Sequence, residues 1–263
     1  MNNFGLIFSH YFKRQLKSIE TLGGLILAPM GVIALFILIN NSDTNRIFYG
    51  YNMLHTGLVV SNMLFFALFG VIFSMENLHE LIKSDAKNRL FVAPVKKVTF
   101  IGASLLASWS VALLASCIII AVLSIFLNVY WGNVLISISV LIGFTLLCQV
   151  IGVLIFLFTK SESQGNAVAY PFVFLVGGIS GMPFPITAFF NNRFVDFIEY
   201  WSPLNLAYQA FIHGGRFGRI SFQYQTYAGG DMGLAVRNTL VIFLIAIVLG
   251  FLSFIIGRQR RIW

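Results

Sequence analysis

"VTFIGASLLASWSVALLASCIIIAVLSIFLNVYWGNVLISISVLIGFTLLCQVIGVLIFLFT", Val98 to Thr159, runs for 62 residues without an Asp, Glu, Lys or Arg. A helix rises about 1.5 Å per residue and bilayer hydrocarbon is about 30 Å thick, so roughly 20 apolar residues cross once. The stretch is long enough for two crossings. Its middle, "LNVYWGN" from Leu127 to Asn133, is the turn: Asn and Gly break the helix, while Tyr130 and Trp131 suit the membrane–water interface. Two spans joined by an interfacial turn set the fold class, an all-α integral membrane protein.

The rest of the chain extends this pattern. It is 58% hydrophobic and 10% charged, against about 25% charged in an average soluble domain. Apolar runs predict six transmembrane helices, at about residues 21–41, 52–75, 98–127, 134–159, 164–182 and 236–257, forming a single transmembrane domain over 1–263. The net charge of +8 comes from Lys and Arg that flank these runs instead of forming one patch, which argues for topology and against a nucleic-acid partner. Placing the N-terminus in the cytoplasm puts twelve of the 17 basic residues inside and five outside. The expectation is a multi-pass protein of a bacterial plasma membrane, with a retained first span and both termini cytoplasmic. Cys117 and Cys148 lie in apolar runs and read as buried small hydrophobes. His10, His55, His79 and His213 fall on separate elements, so no metal site is expected.

Three segments are neither spans nor turns. Residues 4–20 place Phe8, Phe12, Leu16 and Ile19 on one helical stripe, with His10, Lys13, Arg14 and Lys17 elsewhere, as in a helix lying on the inner membrane surface. Residues 76–97 repeat apolar residues at three- and four-residue spacing (Leu78, Leu81, Ile82, Ala86, Leu90, Ala93), with Glu76, Glu80, Lys83, Asp85, Lys87 and Arg89 between them. Pro94 should end that helix near Ala93. Residues 183–216 form an expected outer re-entrant region between spans five and six: Gly177, Gly178 and Gly181, then Pro183 and Pro185, should break the helix, and a short helix should run from Pro203 to Gly214-Gly215.

The chain carries no phosphate-binding loop, no His-Glu-x-x-His and no Gly-x-Ser-x-Gly, so no catalytic residue is expected. No charged residue sits deep inside a predicted span, against a proton-driven carrier. Asn62 and Gln149, the most polar mid-span residues, fit interhelical hydrogen bonding better than substrate contact. Energy, if used, must come from a partner. The amphipathic segment 76–97 is either its docking device or an ordinary surface-lying loop.

In "SDAKNRLFVAPVKKVTFIGASLLA", residues Arg89, Leu90, Pro94, Val95, Lys96, Lys97 and Gly102 resemble the loop after the second span in permease subunits of ATP-binding-cassette exporters of the type-2 family; Asp85-Ala86 replaces that pattern's usual Gly-Thr. "SGMPFPITAFF" followed by "SPLNLAYQAF" is similar to the family's region between spans five and six. The resemblance implies a cytoplasmic coupling helix between spans two and three seated on a cassette ATPase dimer. It implies a second contact at residues 159–166, with Lys160 and Glu162, and a second permease copy, identical or related, approached closely at the Gly177–Gly181 glycines. ATP and Mg would be held by the partner, with no cofactor on this chain. The implied task is ATP-driven export of an amphipathic or hydrophobic compound such as a drug, peptide, lipid or lipid-linked molecule. A non-transporting scaffold or immunity protein is the alternative; a secondary transporter ranks behind it, because no motif repeats between the halves.

Overall fold

The computed structural model describes residues 3–18, 23–39, 47–48, 51–83, 97–127, 131, 133–181, 192–214 and 230–259. They form α1 (Asn3–Lys17), a five-residue π-helix (Gly23–Leu27), α2 (Ala28–Ile39), two short strands, α3 (Met53–Ala67), α4 (Gly70–Lys83), α5 (Lys97–Leu127), α6 (Val134–Phe158), α7 (Glu162–Ile179), α8 (Arg193–Trp201), α9 (Pro203–Gly214) and α10 (Met232–Gln259). The strands, β1 (Ile47–Phe48) and β2 (Tyr51–Asn52), pair antiparallel with Ile47 opposite Asn52.

Among the described residues, four helices are long and apolar enough to cross a membrane: Thr56–Ile82, Val98–Phe126, Val134–Phe158 and Met232–Gln259. The other two predicted spans appear differently. The described part of the first, residues 23–39, is the π-helix and α2, because Pro29 has no N–H to continue an α-ladder and the turn before it widens. The described part of the span expected at 164–182 is α7, with Pro171 inside it; Ser161 caps its start, accepting from the Gln164 N–H at 3.3 Å. It stops at Gly181, whose φ of 72° is left-handed and suits glycine.

α6 is the axis of the bundle, with α4, α9 and α10 as its main neighbours. Lipid tails are as apolar as leucine, so helices in a membrane are held by close packing and interhelical hydrogen bonds instead of by hydrophobic expulsion. The α4–α6 crossing shows both. A Cβ on Gly152 would stand 2.4 Å from the Val71 carbonyl oxygen, and the Ser74 hydroxyl donates to the Gln149 carbonyl at 3.1 Å. Burial is uneven. In the most apolar stretch of Thr56–Ile82, 83% of residues are buried, against 28% in α5 and 22% in α10, so α5 and α10 form the outer wall. Cys148 is buried as expected, whereas Cys117, on the outward face of α5, is exposed.

Two further departures matter. Met53–Lys83 is one rod tightened at Leu68–Phe69, where the Phe69 N–H bonds Phe66 O (3.1 Å) and the Val71 N–H bonds Leu68 O (2.9 Å). The rod therefore runs on past residue 75, with Met75, Leu78 and Leu81 packed inside. α9, expected from the sequence to lie at an interface, is instead a core element: Leu204, Leu206, Ala207, Phe211 and Ile212 are buried. α9 begins at Pro203 and reaches Gly214, as the sequence suggested.

Candidate functional site

One end of the bundle gathers residues from three of the predicted sets. α1 docks against α5. Tyr11 sits at the centre of this contact, buried with Leu81 and Ala107, and meets Phe100 edge-on with ring centroids 5.4 Å apart. Phe8 and Phe12 stack at 5.7 Å beside it and are half-buried, as is Leu16, while Lys13, Arg14 and Lys17 are exposed. The face of α1 thus centres on Ile7, Phe8 and Tyr11. Sequence reasoning missed Tyr11, which lies three and four residues after Phe8 and Ile7 and was readable from that spacing.

A polar net ties the same elements together. Arg14 forms an ion pair with Glu80, both about half exposed. Gln15 donates to the Ser108 hydroxyl at 2.7 Å; Asn77 donates to Ser108 at 2.8 Å and to Ser104 at 2.9 Å. Three elements, α1, α4 and α5, therefore meet through side chains on a shared pair of serines. Burial holds the Tyr11 phenol above its ordinary value, with the Arg14 charge opposing and Glu80 adding to the shift.

The net forms one wall of a cleft of about 250 Å³ whose lining includes Tyr11, Arg14, Glu76, Glu80, Gln149 and Glu162. Gln149 is only 4% exposed, and its carboxamide oxygen has no hydrogen-bond partner among the described residues. Gln149 of α6 and Glu162 at the start of α7 complete the lining, and the α6–α7 turn packs on α4 next to them. His79 lies 3.0 Å from the Thr159 hydroxyl and edge-on to Phe156, and the Lys160 N–H bonds Gln164 at 3.1 Å. A Cβ on Gly165 would collide with Met75 at 2.3 Å, so α7 also packs tightly on α4.

The structure thus brings together Glu76 and Glu80 of the expected coupling segment, Arg14 of the first helix and Glu162 of the expected second contact. Lys83 ends α4, but its side chain lies outside the described residues, as do Asp85, Lys87, Arg89, Leu90, Pro94, Pro183 and Pro185. Asn62 lies apart, within α3, donating to the Leu58 carbonyl at 2.8 Å. Gly177 and Gly178 are buried in the last turns of α7. Among the described residues no group of three His, Cys, Asp or Glu could hold a metal. The arrangement is suited to carrying displacement: an amphipathic helix, a long rod and an interhelical turn share one polar joint.

Residues 39–255 match the family described as ABC-2 family transporter protein. No curated protein matches the chain. The match spans most of the 263 residues, and the chain belongs to this family. It is accordingly a membrane-embedded permease subunit of an ABC transporter, and membership implies an ATPase subunit as partner.

Proposed function

We propose that this ABC-2 family member is the six-span subunit of an exporter, paired with a second permease copy and driven by two cassette ATPases that hold ATP and Mg. Its termini face the cytoplasm, and its cargo is amphipathic or hydrophobic. The observation that supports this reading best is the continuity of α4. The rod that packs deepest in the bundle carries Glu76 and Glu80 of the expected coupling segment and is described as far as Lys83, next in sequence to the stretch that resembles the family's coupling loop. A push there reaches Met75 and Leu78 in the core directly, and reaches α1 through Arg14 and α5 through Asn77. Interfaces and packed cores have discrete arrangements, which lets a small displacement at one end select between them.

Co-purification with a cassette ATPase tests the reading. The full chain should retain the ATPase in detergent; an extract that never does so overturns it. Reversing Lys87 and Arg89 to Glu should abolish ATP-driven efflux from vesicles while leaving membrane insertion intact.

A further inference from the structure

We propose that the opposite end of the bundle binds the phosphate of one phospholipid, held by Arg237 with its acyl chains on the outward face of α8 and the first turns of α10. That end is defined by contacts: the Asn133 N–H bonds Gly214 O at 3.2 Å and the Asp231 N–H bonds His213 at 3.3 Å, far along α6 from Thr159.

Arg237 is exposed on α10, between Val236 and Leu240, which are 45% and 62% exposed. Its guanidinium is oriented by neutral acceptors. Nε and Nη2 donate to Asn238 Oδ1 at 3.3 and 3.2 Å, and Nη2 donates to the Tyr200 hydroxyl at 2.7 Å. Asn238 is fully buried and donates in turn to Gln209 of α9 at 3.3 Å, which fixes the fork. Among the described residues Arg237 is paired with no carboxylate. An arginine so placed keeps the two N–H groups of Nη1 for an anion, and its charge attracts a phosphate.

α8 supplies the seat. Phe194, Phe197, Ile198 and Trp201 recur at helical spacing and are 67%, 60%, 37% and 44% exposed, while Tyr200 turns to Arg237. Tyr200 and Trp201 pack edge-on at 5.5 Å, so the apolar face begins beside the charge. A cation flanked by exposed aromatics and continuous with the outward stripe of α10 is complementary to a lipid, whose phosphate and chains are covalently joined. A free anion would leave the apolar face uncovered.

Native mass spectrometry of the full chain in detergent, titrated with dioleoyl phosphatidylglycerol, dioleoylglycerol or inorganic phosphate, tests this. Wild type should retain one more phosphatidylglycerol than Arg237→Gln, with about tenfold weaker binding at that site in the variant, close to 1.4 kcal/mol. Arg237→Lys should fall between the two. Dioleoylglycerol should bind equally to wild type and Arg237→Gln, and inorganic phosphate should not compete. Competition by inorganic phosphate as effective as by lipid would identify a soluble-anion site and overturn the proposal. Unchanged phosphatidylglycerol retention in Arg237→Gln would also overturn it, as would a dimer that excludes the lipid from this face. If Arg237→Gln does not purify, Arg237→Lys and the wild-type comparison of phosphatidylglycerol with dioleoylglycerol carry the decision.

Discussion

A methyl group at residue 152 would meet a backbone oxygen, whereas one at residue 165 would meet the sulfur of Met75, the end of a flexible side chain. The two glycines therefore separate rigid from yielding contacts. Gly152→Ala should destabilise the bundle by about 1–3 kcal/mol, the usual range for overpacking. Gly165→Ala should cost less, because Met75 can change rotamer. Thermal unfolding in detergent ranks them. The Arg14–Glu80 pair is exposed, so a double-mutant cycle on stability should give a coupling of only about 0.2–1 kcal/mol. None of these contacts was legible in the sequence. Gly152 lies in a run read as featureless span, and only the crossing of α4 and α6 gives it a neighbour.

Among the elements, α1 docks through a single buried tyrosine, half-buried neighbours and a few polar bonds. Burial disfavours the Tyr11 phenolate, so α1 docks with a neutral phenol. Its folded value is raised, so this stabilisation is complete below the ordinary tyrosine value of 10.0 and is lost as pH rises above it. Protease protection of the first 17 residues should drop in that alkaline window, and Tyr11→Phe should blunt the pH dependence. Periodicity located α1 and the α5–α6 pair, because a single helical face or an uncharged run is a local property. It failed for α8, which was not anticipated although Asn192 caps it, accepting from the Phe194 N–H at 3.0 Å. The proline–glycine cluster before it drew the reading toward irregular backbone. It also failed for α9, because burial of a short helix is decided by what surrounds it, here α3, α6 and α10.

Over the whole molecule, the two cysteines report on packing. Cys117 is exposed on α5 and Cys148 is buried in α6. A hydrophobic maleimide should label one thiol per chain in the native protein in detergent, and a second only on unfolding. Two labels at once in the native state would mean that α6 is not the axis of the bundle. The six-fold pattern of apolar runs indicated a membrane protein. It could not indicate which runs face outward, since α5 and α6 come from one uncharged stretch and yet are 28% and 67% buried.

In the exporter proposed above, the tightened turn at Leu68–Phe69 would make α4 a lever. Its 14 residues give an arm of about 21 Å from Gly70 to Lys83. A stroke of about 2 Å at Lys83, the size of helix shift seen at switching interfaces, rotates that arm by about 5° around the turn. Gly70 would then be the fulcrum, and Gln149 beside it the first core residue to feel the torque.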